Sequence, residues 1–176
     1  MEHSAGQRAR RLDGKVVGEA IREALKPRIA AFTAAAGRPP GLGILLAGDD
    51  GGSAIYVRNK MKACGALGIS AEVQRLPETA TLDEVMTIVA RFNGTEEVDG
   101  VLVQSPLPVG MGAGAEQQVF DAIDPRKDVD GFHPVNLGHL LEGNPQFIPC
   151  TPNGVLQILK YYQIPVAGRH AVVVGR

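Results

Sequence analysis

The sequence predicts an α/β protein: a three-layer domain whose mostly parallel sheet lies between helices. Two observations support this class. Short continuous apolar runs, typical of buried strands, occur at 41–48, 98–104 and 170–174. Between them lie longer segments whose apolar residues recur every three or four positions, as in amphipathic helices. Strands that alternate with helices favour parallel βαβ units.

The first third of the chain contains two predicted helices and two predicted strands. Apolar residues at helical spacing indicate a helix over 14–32, which Pro27 would kink or divide. A strand over 41–48 and a glycine- and aspartate-rich loop follow. Ser53 is a candidate N-cap for a helix that ends at Gly68, and 69–76 alternates as a strand does.

The strongest local signal is a capping box. Thr81 and Glu84 have the spacing of a helix start, and Gly94 marks its end. Downstream, the patterns predict a strand (98–104) that ends before two prolines, a helix (113–123), a loop (124–136) and a short helical turn (136–143). A last helix is predicted with Thr151 as its N-cap and Pro152 at its first position.

The last residues, "HAVVVGR", read as the first strand of a Rossmann-like nucleotide-binding domain with glycine at the following turn. We therefore predict three parts: a catalytic domain (1–149), a linker helix (150–164) and the start of a truncated domain (165–176). A lone strand cannot build a sheet. We expect a truncated chain, poorly soluble because Val172, Val173 and Val174 are apolar.

Composition excludes several classes of function. The 176 residues carry a net charge of -1, with 44% hydrophobic and 21% charged residues, which is ordinary globular composition. No basic excess indicates nucleic-acid binding, and no apolar run reaches the ~18 residues of a membrane span. Two cysteines, Cys64 and Cys150, fit a reducing compartment. We predict a cytoplasmic protein; a mitochondrial address in the basic first residues is the alternative.

Tyr56 and Lys60 stand four residues apart, so a helix places them on one face beside the glycine-rich loop. A solvated surface pair is the commonest meaning of this spacing. Short-chain dehydrogenases also use Tyr-x-x-x-Lys, but no G-x-G-x-x-G turn precedes the pair here. Gln104 ends a buried strand, at the sheet edge where α/β proteins bind ligands, and could hold a lysine ammonium or a substrate carbonyl.

The segment "KDVDGFHP" offers two carboxylates. Asp128 and Asp130 resemble part of a calcium loop, but the later ligands are missing, so we predict no metal. His133 and His139 lack zinc-ligand spacing with either cysteine. Asp130 could instead accept two parallel hydrogen bonds from an amidine-like edge, or simply form a turn. Cys150 precedes a helix, whose N-terminus would stabilise a thiolate.

Together and in order, "YVRNK", "DGVLVQSPLP", "AIDPRKDVDGFHPVNLGHL", "PCTPNGV" and "GRHAVVVGR" closely resemble the bifunctional methylenetetrahydrofolate dehydrogenase/methenyltetrahydrofolate cyclohydrolase family. The likeness runs from about residue 12 to 176. It implies NADP-dependent oxidation of 5,10-methylenetetrahydrofolate and hydrolysis of the methenyl product to 10-formyltetrahydrofolate. The intact protein would be a homodimer with a folate substrate.

The resemblance also implies roles for residues. Lys60 would move protons in the hydrolysis, Gln104 would hydrogen-bond to it, Tyr56 would pack along the folate ring and Asp130 would grip the pterin edge. The residues implied to line the substrate cleft are Ser53, Val57, Val103, Ser105 and Pro106. Gly175 and Arg176 would begin the NADP site, most of which we expect to be missing from this chain.

Two departures from the family pattern stand near the implied cleft. Ser105 replaces a usual leucine, and "DDGG" replaces an Asp-Pro-Ala stretch. We expect no dehydrogenase activity and weak or no cyclohydrolase activity from these residues alone. A non-catalytic folate- or partner-binding module of the same fold is the alternative function, and an unrelated αβ protein with chance motifs is remote.

Overall fold

The computed structural model describes residues 10–48 and 51–174. In that part of the chain lie six α-helices, three strands and a short 3₁₀ turn over Val109–Met111. The helices are α1 (Gly14–Ala36), α2 (Gly51–Leu67), α3 (Leu82–Gly94), α4 (Ala115–Ala122), α5 (Pro134–Leu141) and α6 (Cys150–Tyr161). The strands are β1 (Gly41–Ala47), β2 (Ser70–Leu76) and β3 (Gly100–Gln104).

The three strands form one parallel sheet in the order β2-β1-β3. β1 is central, and its residues are buried except for the partly buried Leu42. A strand covered on both faces needs a continuous apolar run rather than alternation, which is what "GLGILLA" provides. Because all strands run the same way, the ends of β1, β2 and β3 at Ala47, Leu76 and Gln104 lie along one edge.

Helices cover both faces of the sheet, which confirms the predicted three layers. On one face, α3 and α4 contribute Val85, Val89, Phe92 and Val119 to a buried cluster with alternate residues of β1 and β3. On the other face, Val57 of α2 packs against Ile44, Leu46 and Leu102. Successive strand residues point to opposite faces, so one strand supplies both clusters.

The capping box of α3 is confirmed. Thr81 Oγ1 accepts from the Glu84 amide at 3.3 Å, and the Glu84 carboxylate accepts from the Thr81 amide at 2.7 Å. The other end of α3 has a cap that the sequence did not predict. Lys127 Nζ donates to the carbonyl oxygens of Phe92, Asn93 and Thr95 at 3.1, 2.8 and 2.9 Å. A cation there neutralises the negative end of the helix dipole and satisfies free carbonyls.

Three predicted helix features are wrong. Pro27 does not divide α1, which ends only before Gly37, in the left-handed region at φ 70°. Ser53 lies inside α2, which already includes Gly51, so it is not the N-cap. α6 begins at Cys150 after Pro149, so Thr151 is not a cap either. Local preference is a weak guide to such boundaries, because tertiary context routinely overrides it.

α6, the predicted linker helix, packs on the first helix of the chain. The Tyr162 hydroxyl, just beyond α6, accepts from the Asp13 amide at 2.9 Å. Asp13 is in turn the N-cap of α1. The domain boundary near residue 150 stays a prediction, but α6 is in contact with the part of the chain that precedes it.

The terminal strand predicted over 170–174 is not formed. Residues 171–174 pair with no strand that the structure describes, and Val173 and Val174 are 94% and 93% exposed. An extended segment gains strand hydrogen bonds only from a neighbouring strand, and none lies beside it here. Within the described residues, no helix has the length and apolar character to cross a membrane.

Candidate active site

The candidate site lies at the carboxyl edge of the sheet. α2 begins shortly after β1 ends, so its first turns stand at this edge, where β3 also delivers Gln104. The segment after α4 then runs beside β3: the Val101 amide donates to the Lys127 carbonyl at 2.7 Å, and Val101 bridges Asp128. Three separate stretches of chain therefore bring side chains to the same edge.

Lys60 and Gln104 meet there. Lys60 Nζ donates to Gln104 Oε1 at 2.9 Å, which confirms the predicted hydrogen bond. Gln104 Nε2 donates to the Ser105 carbonyl at 2.9 Å. That second bond fixes the orientation of the amide, because turning it over would set two oxygens against each other and two donors against each other. The amide oxygen is thus held towards the lysine.

The Lys60–Gln104 pair borders a cavity of about 310 Å³. Asp130 lies in the wall of the same cavity. The full lining comprises Lys60, Val103, Gln104, Ser105, Asp130, Phe132, Pro149, Cys150, Thr151 and Pro152. Five of these residues were predicted for the site from the sequence, and they come from α2, from β3 and the residue that follows it, and from the segment after α4.

Asp130 is partly buried, and this desolvation raises the pKa of its carboxyl group. The positive charge of Lys60 acts in the opposite direction, and the negative charge of Asp128 adds to the rise. A carboxylate can accept two parallel hydrogen bonds, so an edge carrying two N–H groups would complement Asp130.

Cys150 contacts the same carboxylate. Its Sγ donates to Asp130 Oδ1 at 3.8 Å. The pKa of the Cys150 thiol is raised, first by partial desolvation in the cavity wall and then by the Asp130 charge. The thiolate expected from the helix N-terminus is therefore disfavoured, because desolvation and the neighbouring carboxylate both favour the neutral thiol.

Four predicted site residues do not line this cavity. Tyr56 is 63% exposed on the surface of α2. Val57 is fully buried in the core, so its side chain cannot reach a ligand in the cavity. Ser53 is buried, and its Oγ lies 3.5 Å from the Ser105 carbonyl. Pro106 is exposed and follows a cis peptide bond. Gly175 and Arg176 lie outside the described residues.

Sequence reasoning missed Phe132, Pro149, Thr151 and Pro152 as cavity residues. Phe132 stacks at a tilt on Phe120 of α4, with ring centroids 5.1 Å apart. The sequence did carry one signal for these positions, since "DGFHP" and "PCTPNG" belong to the strings with family resemblance. It could not show that the two strings meet.

A larger cavity of about 600 Å³ lies beside the loop after β3. Its lining has one charged side chain, Glu116, whose carboxylate accepts from the Leu107 amide at 2.9 Å. Reactive groups converge on the smaller cavity instead. Among the described residues, no three His, Cys, Asp or Glu side chains are grouped so that they could hold a metal ion.

Known proteins resemble this chain over most of its length. Residues 12–130 match the family model of the tetrahydrofolate dehydrogenase/cyclohydrolase catalytic domain. Bifunctional protein FolD of Nitratidesulfovibrio vulgaris (strain DP4) is 50% identical over 165 residues, covering 94% of this chain and 57% of that protein. The chain spans about half the length of the curated relatives it matches.

Solved structures give the same result. The bifunctional FolD methylenetetrahydrofolate dehydrogenase/cyclohydrolase of Campylobacter jejuni aligns with a TM-score of 0.80 at 40% identity, over 87% of this chain and 53% of that one. The Trypanosoma brucei methylenetetrahydrofolate dehydrogenase-cyclohydrolase, complexed with NADP cofactor and inhibitor, aligns with a TM-score of 0.82 at 33% identity, over 89% and 52%.

Proposed function

This chain belongs to the tetrahydrofolate dehydrogenase/cyclohydrolase family. From that premise we propose that its 310 Å³ cavity binds a reduced folate, whose methenyl bridge is hydrolysed there. The substrate would be 5,10-methenyltetrahydrofolate and the product 10-formyltetrahydrofolate. The single observation that carries this proposal is the bond of 2.9 Å between Lys60 and Gln104 in the wall of a cavity that also contains Asp130.

Asp130 is proposed to bind the substrate and Lys60 to transfer protons during the reaction. Asp130 holds the pterin, since its two carboxylate oxygens can accept from an N–H and an adjacent NH₂ group. Lys60 takes the proton released when water adds to the methenyl carbon, and returns a proton to the nitrogen that leaves as the ring opens. Gln104 accepts a hydrogen bond from one N–H of the Lys60 amine. This bond orients the lone pair of the amine nitrogen.

Tyr56 is proposed to pack along the folate ring from the helix surface. Its exposed position on the same face as Lys60 supports a contact that forms only when the substrate is present. Ser53, Val103, Ser105 and Pro106 are proposed substrate contacts, of which Val103 and Ser105 line the cavity.

For the whole enzyme we propose the preceding step as well, the oxidation of 5,10-methylenetetrahydrofolate with NADP as hydride acceptor. The residues of this chain proposed for NADP are Gly175 and Arg176, which lie outside the described part. We further propose a cytoplasmic homodimer for the intact protein. The two cysteines, free among the described residues, support a reducing compartment.

Replacing Asp130 tests the proposed binding mode. We expect D130N to raise the Kd for 5-formyltetrahydrofolate, a reduced folate that keeps the pterin edge, by about 10- to 100-fold. Hydrogen bonds to a charged group contribute about 1.5–3 kcal/mol each, and 1.4 kcal/mol is tenfold in Kd. Isothermal titration calorimetry of both proteins gives the comparison.

The matched control is D121N. Asp121 is an exposed carboxylate on α4 that accepts from Gln117 at 2.7 Å. We expect this variant to bind folate as the unchanged protein does. Equal affinities of the D130N variant and the unchanged protein would contradict the assignment of Asp130. Folate binding without hydrolysis would indicate the non-catalytic module instead.

The raised pKa of Asp130 predicts a pH dependence of folate binding. The ionised carboxylate is the form that accepts the pterin donors, so affinity is complete above the raised pKa and is lost as the pH falls through it. The loss should begin at a higher pH than for an ordinary aspartate, whose pKa is about 3.9. Calorimetric titrations at successively lower pH test this, and D130N should lack the Asp130-dependent part of the fall.

A further inference from the structure

Asp128 is a buried charge that the proposed reaction does not use. Its side chain is 2% exposed, two residues before Asp130. Oδ1 accepts from the Gly131 amide at 3.0 Å, and Oδ2 accepts from the His133 amide at 2.9 Å and from Asn136 Nδ2 at 2.8 Å. Burying a carboxylate destabilises the folded state unless hydrogen bonds of this kind compensate for the lost hydration.

Asn136 completes the arrangement from α5. It is 1% exposed, and its Nδ2 also donates to the Pro125 carbonyl at 2.9 Å. The side-chain amide of Asn136 therefore connects the Asp128 carboxylate to Pro125, at the start of the segment 125–133. The backbone amides of Gly131 and His133 connect the same carboxylate to the end of that segment. These contacts reach across the loop that carries Asp130.

Asp130 occupies the third position of a turn from Asp128 to Gly131. The Gly131 amide donates to the Asp128 carbonyl at 3.3 Å as well as to its side chain, and Gly131 has φ 71°. A turn alone would need one hydrogen bond. The additional bonds to His133 and Asn136 hold it against α5, and the bridge between Val101 and Asp128 holds it beside β3, which is more than turn formation requires.

We propose that Asp128 and Asn136 are positioning residues, which hold the backbone of Asp130 so that its carboxylate faces the cavity opposite Lys60. The inference rests on the proposed function, because it assigns a purpose to the placement of Asp130. A carboxylate that must meet two neighbouring donors tolerates errors of only about 0.5 Å. A loop without buried anchors does not provide that accuracy.

A double-mutant cycle tests the proposal. We expect D128N to raise the Kd for 5-formyltetrahydrofolate about tenfold. In either orientation its amide nitrogen would face a donor, the Gly131 amide or the pair formed by His133 and Asn136, and would displace the loop. In the D130N background the same change should add no further loss, since the residue being positioned is already inactive. Equal losses in both backgrounds would show a general structural role and overturn the proposal.

N136A provides a second variant in case D128N fails to fold. It removes one of the three hydrogen bonds to the Asp128 carboxylate, together with the bond to the Pro125 carbonyl, and leaves the bonds from the Gly131 and His133 amides. Its cycle with D130N has the same expected outcome, and thermal denaturation establishes that each protein is folded at the assay temperature. If N136A binds folate as the unchanged protein does, Asn136 is not a positioning residue.

A readout without folate separates this inference from the proposed function. The exposed Cys150 contacts Asp130, whose charge raises the pKa of the thiol, and the buried Cys64 is an internal control. We expect alkylation of Cys150 by iodoacetamide to accelerate about twofold or more in D130N and in D128N, with the double variant no faster than D130N. An unchanged rate in folded D128N would overturn the proposal. If the chain binds no folate but this coupling is present, only the proposed function fails.

Discussion

In the intact protein, the K60M variant should lose hydrolysis of 5,10-methenyltetrahydrofolate by about 10²- to 10⁴-fold, the range that a positioned acid–base group contributes. Methionine keeps the apolar length of the side chain but has no group that can carry a proton. Folate affinity should change little, since Asp130 and the rest of the cavity wall remain. The loss of near-ultraviolet absorbance of the methenyl compound, corrected for its spontaneous hydrolysis, measures the rate.

K62M is the matched control. Lys62 is an exposed lysine on the same helix, two residues on and therefore on another face. Its replacement should leave the rate at the level of the unchanged protein. If K60M hydrolyses as fast as K62M, Lys60 is not the proton-transfer group. If every protein binds folate and none exceeds the spontaneous rate, the chain is a binding module.

The F92A variant should lower the free energy of unfolding by about 3–5 kcal/mol, the usual range for truncating a buried aromatic side chain. Phe92 is fully buried in the cluster between α3 and the sheet. Its ring lies 2.9 Å from where a Cβ on Gly43 of β1 would stand, so the helix packs onto the strand where the strand has no side chain. Deletion of the ring leaves a cavity that neither rigid element can close.

Urea denaturation followed by circular dichroism measures this loss as a lower midpoint with an unchanged slope. F32A is the control: Phe32 is 37% exposed on α1, and its removal should cost less than ~1 kcal/mol. A loss in F92A no larger than in F32A would show that the cluster around Phe92 does not stabilise the fold as its burial indicates.

Local signals predicted the elements that build the sheet. The capping box at Thr81 and Glu84 gave the start of α3 to the residue, and continuous apolar runs located β1 and β3. The meeting of Lys60 and Gln104 could also be predicted, because parallel strands end at one edge and the helix after β1 begins there. These features depend on neighbours along the chain or on the rules of parallel sheets.

Features that depend on distant contacts were predicted less well. Val57 was assigned to the substrate, yet it faces the core because the side of α2 that meets the sheet is settled by packing. Asp128 was weighed as a metal ligand, whereas its bonds to His133 and Asn136 exist only once α5 docks. The run of valines at 172–174 has strand character, but no strand lies beside it in the described structure.

The sequence by itself determined the order of helices and strands, the parallel sheet and the identity of the lysine, glutamine and aspartate that carry the proposed chemistry. The elements and the sheet follow from hydrophobic period, capping residues and strand direction, all of which act over a few residues. The three reactive side chains follow from the family resemblance of the strings that contain them. Only the tertiary structure decided which side chains enter the cavity and what holds Asp130 in place. The reason is that burial and buried hydrogen bonds are properties of pairs brought together by folding, so no single segment encodes them.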